Sequence, residues 1–267
     1  MFGSSFRVAR IFGIDIEIHP SWFLILAFVA YSLSEGFFPD GYEGWGTGVY
    51  WAVGITSALL LFLTVLIHEL AHALVAKRRG LDVPRITLFI FGGVSHLGRQ
   101  PSSAGEEFQI AAAGPATSLV IAIATGLGAL LLRGTNEQVE AVLFYLAFVN
   151  AALAVFNILP GFPLDGGRVL RSIAWKKTGS FRRATRVASG VGEVFGYGLL
   201  AVGFFLLLGG LLFDGLWLMF IGWFLLGAAR GEAANLQLEG VLKGLSAREV
   251  MRADFPSVVP GSPLQSI

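Results

Sequence analysis

The chain has 267 residues, of which 55% are hydrophobic and only 14% charged, and its formal net charge is +1. Soluble domains average about 25% charged residues, so a water-soluble fold is excluded and an integral membrane protein is expected. A charge so near zero, with no basic cluster interleaved with aromatics, argues against nucleic acid as a partner, and the absence of cysteine excludes disulfides and thiolate metal sites.

Residues 1–20 lack the early apolar run of a cleavable signal peptide, so the N-terminus reads as retained. Residues 11–18 alternate apolar and polar after Gly13 and read as a short strand, which His19-Pro20 ends. Residues 21–33 form a first membrane helix, short against the ~20 residues usually needed. His19 reads as an interfacial, hydrogen-bonded histidine. Residues 35–48 are an acidic, glycine-rich connection with Trp45 as interface anchor.

The second helix, 50–76, contains Thr64-Val-Leu-Ile-His68-Glu69-Leu-Ala-His72 and closes at Lys77-Arg78-Arg79-Gly80. Residues 86–94 are apolar and β-branched but too short to span; they read as a strand or hairpin arm at the membrane face. An open strand edge cannot face lipid, so that element lines a protein cavity. It serves either as a docking edge for an extended substrate, through Phe91, Gly92, Gly93 and Val94, or as a structural β element. His96 follows and reads as an exposed loop histidine.

The third helix, 108–132, carries Gly114-Pro115 inside it, and residues 133–140 are a polar turn. The fourth, 141–159, ends in Asn157-Ile-Leu-Pro-Gly-Phe-Pro-Leu-Asp165-Gly-Gly-Arg168. A backbone broken there while still apolar is tolerated only beside a cavity or inside protein, which puts Asp165 at a polar pocket. Residues 175–186 are basic and read as a loop. Residues 191–213 and 215–229 are the fifth and sixth spans, with Gly192 and Gly196 at the spacing that favours close helix packing. Glu193 reads as interfacial. The fold class expected is therefore an α-helical polytopic membrane protein, with six transmembrane helices and a small membrane-associated β element between helices 2 and 3. All but one (Arg133) of the 19 basic residues fall on one side of that topology, which assigns that side, and both motifs near it, to the cytoplasm.

His68 and His72 are i and i+4, about 40° apart around a helix, so both imidazoles share a face. Each ionisable group at bilayer depth costs about 2.5–3.5 kcal/mol, and three within five residues point to one shared task. H-E-x-x-H supplies two neutral nitrogen ligands and a general base to Zn²⁺. Asp165 would add an oxygen as third ligand, leaving a position for water. Glu69 is the candidate base, and Asn157 either aids the oxyanion or makes a helix-packing hydrogen bond.

His68-Glu69-x-x-His72 in a membrane helix, with Asn157…Leu-Pro-Gly-Phe-Pro-Leu-Asp165-Gly-Gly, resembles the site-2 protease family of intramembrane zinc metalloproteases. Phe91-Gly92-Gly93-Val94 and Ala113-Gly114-Pro115 lie between the two motifs in the family's order, and the likeness covers roughly residues 10–230. It implies zinc held by His68, His72 and Asp165, catalysis by Glu69 with help from Asn157, and cleavage of a transmembrane segment of a protein substrate in the bilayer of the cell membrane. Residues 1–230 are then the protease domain. Residues 231–267 are a linker and the start of a region resembling a CBS domain, a module that often binds adenine nucleotides; so few residues cannot build its core, and the chain reads as part of a longer one. A homodimer is a further candidate assembly. Two rivals stand beside this reading. A non-catalytic metal scaffold would need no base at Glu69, and a prenyl-protein-processing zincin would need a glutamate third ligand.

Overall fold

The computed structural model describes residues 5–242. Two hairpins build one four-stranded sheet. Strands β1 (Phe6–Ile11) and β2 (Ile14–Ile18) pair antiparallel, as do β3 (Arg85–Phe89) and β4 (Gly92–His96), and β2 joins β3 in parallel to give the order β1-β2-β3-β4. The expected strand at 11–18 is thus two strands, turned at Phe12 and Gly13, both at positive φ. The β element between helices 2 and 3 gains half its strands from the N-terminus. The apolar 86–94 run is a hairpin with Ile90 and Phe91 at its tip. Gly92 adopts φ +120°, a conformation open to glycine.

Among the described residues, six helices are long and apolar enough to cross a membrane. The first span is Ser21–Gly41, longer than the 21–33 expected. It comprises α1 (Ser21–Ser32), a wide π-helical stretch (Leu33–Phe37) and α2 (Phe38–Gly41). Glu35 does not end it, because its carboxylate accepts a 2.8 Å hydrogen bond from Trp51 Nε1. The next helix, α3 (Thr47–Arg78), has 32 residues, about 48 Å at 1.5 Å per residue and longer than a ~30 Å hydrocarbon core. Ser34 presses against it where Gly54 has no side chain.

Helix α4 (Ala104–Leu131) runs through Pro115, and α5 (Glu137–Ile158) starts at an Asn136 cap whose side chain accepts from Val139 N. Residues 175–186 are not a loop. Helix α6 (Asp165–Thr178) ends at Gly179 in the left-handed region, and α7 (Phe181–Leu208) begins at a Ser180 cap. The basic residues misled because α6 is amphipathic: Arg171 and Ser172 face inward while Lys176 and Lys177 face out. Helix α8 (Leu212–Leu242) carries straight past Arg230, where a domain boundary was expected. Of the CBS-like stretch 240–267, residues 243–267 lie outside the described residues.

Helices α7 and α8 interlock through glycines: a side-chain carbon at Gly203 would meet the Gly215 carbonyl, and one at Gly196 would meet Leu226. Gly192, in the same stripe, packs against Ala229 of α8 and also admits the backbone of Phe162. The sheet lies across the end of α3, where Ile14, Ile16 and Ile86 form a core with Ala73, Ala76 and Ile110. Leu24, Phe28, Leu131 and Phe205 stay exposed, as lipid-facing residues must.

Candidate metal centre

Six residues from its C-terminal end, about 9 Å at helical rise, α3 carries His72, and one turn earlier His68. Both rings are buried, with their Nε2 atoms 3.2 Å apart. The chain then returns to them through α5 and α6. Gly166 has the carbonyls of Ile158 and Leu159 where a side chain would stand, and Gly167 has the Gly161–Phe162 backbone. Only glycine lets α6 start so tightly against the turn before it. The result is that Asp165, its first residue, sets Oδ2 3.2 Å from His68 Nε2 and 3.0 Å from His72 Nε2.

The far side of each ring is held by α4. His72 Nδ1 lies 2.6 Å from the Ile110 carbonyl and His68 Nδ1 lies 2.9 Å from Ser118 Oγ. A carbonyl only accepts, so Nδ1 of His72 carries a proton, and when the ring is neutral Nε2 presents a lone pair. That lone pair faces a second imidazole nitrogen and a carboxylate oxygen, at distances where such acceptors repel unless a cation lies among them. The three donor atoms also form a triangle of 3.0–3.2 Å edges. Tetrahedral zinc with ligands at about 2.0–2.2 Å needs edges of roughly 3.3–3.6 Å. The donor set and the buried convergence of the three atoms fit zinc, for which the triangle would widen by a few tenths of an ångström, and the partners on Nδ1 are the orienting contacts that metal-binding histidines keep.

A family model described as Peptidase family M50 matches residues 56–136 and 133–199. The Synechocystis sp. protein sll0528, which carries a provisional zinc metalloprotease name, is 38% identical over 98% of this chain and 66% of its own length. Rip3 of Mycobacterium tuberculosis, named in the same provisional way, is 40% identical over 95% of this chain and 65% of its own. This chain belongs to peptidase family M50, the family of the site-2 proteases. Its fold is similar to that of the Site-2 Protease from Methanocaldococcus jannaschii, at 28% identity and a TM-score of 0.55, covering 86% of this chain and 95% of that one. The chain thus spans about two thirds of the length of the curated relatives it matches.

Around this M50 centre, the sheet reaches Glu69 through β4. Ser95 Oγ donates to Glu69 Oε2 at 2.9 Å, and a side chain at Gly93 would collide with Glu69 Cγ. Gly93 is therefore a packing residue against Glu69. Val94 lines a cavity beside the strand, and Phe91 stacks on Phe224 of α8 with ring centroids 4.6 Å apart. Asn157 is half-buried, and its side-chain amide donates to the Leu153 carbonyl of its own helix at 3.0 Å. His96 ends β4 instead of lying in a loop, and burial, with Arg85 beside it, pushes its pKa below the ordinary histidine value.

Three contacts escaped the sequence reading: Ile110, Ser118 and Ser95. The first two had a signal, since Ile110, Gly114 and Ser118 recur every four residues and share one face of α4. Ser95 had none, because its role depends on the sheet's placement.

Helix α6 is itself anchored. Arg171, buried between the Phe162 and Phe181 rings, pairs with fully buried Glu107 of α4 and, at 2.9 Å, with Glu232 of α8. Breaking a buried pair leaves an uncompensated charge. Arg171→Ala is expected to lower stability by about 3–5 kcal/mol, read as a fall in the thermal midpoint in detergent.

Proposed function

We propose that this protein is an intramembrane zinc endopeptidase, which hydrolyses a peptide bond within the transmembrane segment of another membrane protein. The observation that carries the reading is the convergence of two imidazole nitrogens and one carboxylate oxygen inside a membrane-spanning bundle, with Glu69 next to them. His68, His72 and Asp165 would hold the ion. Bound zinc supplies Lewis-acid polarisation of the scissile carbonyl and makes water a better nucleophile near neutral pH.

Glu69 accepts the proton of the attacking water as the C–O bond forms, then gives it to the nitrogen of the breaking C–N bond. Ser95 fixes the carboxylate by donating to its Oε2. Asn157 belongs to the reading as a donor to the oxyanion or the substrate backbone, a role that needs its amide to leave the Leu153 carbonyl.

A helix hides its own peptide bonds, so the substrate must unwind before a carbonyl reaches the site. Strand β4 is an outer strand of the sheet, and its free edge would hold the unwound segment as a further strand, along Gly92, Gly93 and Val94 with Phe91 at its end. Alternate residues of such an edge turn N–H and C=O outward. N-methylation of substrate amides near the scissile bond is expected to slow cleavage about 2- to 10-fold per bond lost; cleavage insensitive to it at every position would refute strand docking.

The excess of Lys and Arg on one side of the topology supports a site that opens towards the cytoplasm. Control by adenine nucleotide through the CBS-like stretch, and assembly as a homodimer, belong to the same reading; nucleotide binding by a longer version and its mass in detergent test them. The reading as a whole is tested by incubating purified protein with single-span substrates, with and without chelator, and identifying products by mass spectrometry. Chelator-sensitive cuts inside the span are expected.

A further inference from the structure

Between the edge of β4, the start of α6 and the part of α8 around Ala228 and Glu232 lies a cavity of about 650 Å³, lined by Val94, Ser95, Arg99, Arg168, Arg171 and Glu232 among others. Its charges are not equivalent. Arg99 pairs with Glu106 at 3.5 Å, and Arg171 is held by Glu107 and Glu232. Arg168 has no carboxylate partner among the described residues, yet it is half-buried. An arginine that lines a cavity without a counter-charge leaves a positive charge there that an anionic ligand would neutralise.

Resting on the peptidase reading above, we infer that Arg168 forms a subsite for a carboxylate of the substrate. The ligand class follows from the walls. One wall is a free strand edge, which takes extended peptide, and a guanidinium forks onto a carboxylate in bidentate fashion. Position follows from α6: Arg168 lies three residues beyond Asp165, about 4.5 Å along the axis. An extended substrate advances ~3.3 Å per residue, so the recognised carboxylate sits within a few residues of the scissile bond. It is an Asp or Glu side chain, or the terminal carboxylate of a segment already trimmed by another protease.

The test uses the zinc-loaded enzyme in vesicles of phosphatidylcholine alone, with single-span substrates whose flanks are neutral. Aspartate is walked through the four positions on each side of the scissile bond. A second arm ends the substrate at each of those positions as free acid or amide, which separates the two sources. One position is expected at which a carboxylate raises kcat/KM about 10- to 100-fold, the span of one charge-assisted hydrogen-bonded contact, mainly through KM.

In R168Q this preference should vanish, and in R168E it should invert in favour of lysine. R168K, which keeps the charge without the fork, should retain a smaller preference and serves if R168Q does not accumulate. The readout is a ratio among substrates, so a general loss of fold does not imitate it. A flat walk with wild-type enzyme, or a preference unchanged in R168Q, overturns the subsite and leaves the peptidase reading standing. A flat walk, with an R168-dependent change of rate when the assay is repeated in vesicles that also contain phosphatidylglycerol, overturns it in favour of a lipid headgroup. No cleavage of any substrate overturns both.

Discussion

Glu69→Gln should abolish peptide hydrolysis while zinc content stays at the wild-type level. The two readouts separate because the structure separates the groups. Zinc would be held by His68, His72 and Asp165, which the substitution leaves alone, and the rings are oriented from α4 by Ile110 and Ser118. Glutamine has the shape of glutamate and its carbonyl oxygen can still accept from Ser95, whose Oγ lies 2.9 Å from Glu69 Oε2. What is lost is a basic oxygen. General-base assistance contributes about 10²–10⁴-fold, and here the same carboxylate would also protonate the leaving nitrogen, so the loss should lie at the upper end of that span. Metal analysis of the purified variant and mass spectrometry of its products check the two halves. Retained cleavage would remove Glu69 from the chemistry; lost zinc would show that it supports the metal instead.

The fold was legible where the sequence has a period or a break. Uniform apolar helices set the spans, and the break before Asp165 in a still apolar stretch pointed to a polar pocket, where the structure brings Asp165 to the two histidines. Misreadings arose where charge was taken as a sign of loop. Glu35 ended the first span too early, because a tryptophan N–H 16 residues on satisfies it. The basic run at 175–186 hid the end of α6 and the start of α7, because a helix lying at a polar boundary carries charge on one face. Of the centre, His68 and His72 could be paired from their spacing alone. Their convergence with Asp165 depends on how α5 and α6 fold back across nearly a hundred residues, which periodicity does not contain. The sheet shows the same limit: β2 and β3 pair across α1 and α3, a contact between segments that carry only local signals of their own.

Gly114→Ala should cost most of the zinc affinity, although it adds one methyl group to a residue that would touch the metal only through its neighbours. A side-chain carbon at Gly114 would overlap Nε2 of both His68 and His72, the atoms that face Asp165. Relief by moving α4 away is blocked on each side. Four residues before, the Ile110 carbonyl takes the hydrogen bond of His72; four residues after, Ser118 holds His68. Pro115 fixes the backbone torsion next to the site. The rings must therefore turn, and turning breaks their Nδ1 contacts as well as their aim. Loss of orienting contacts alone weakens metal sites about 10- to 100-fold, so the direct displacement should reach at least that, measured by competition with a chelator of known zinc affinity. Gly105→Ala on the same helix, where an added carbon would meet nothing within 4 Å, should leave zinc content unchanged and controls for glycine replacement as such. If Gly114→Ala binds zinc and cleaves like the wild type, then the two imidazoles do not face α4 at this distance, and the metal centre must be built differently.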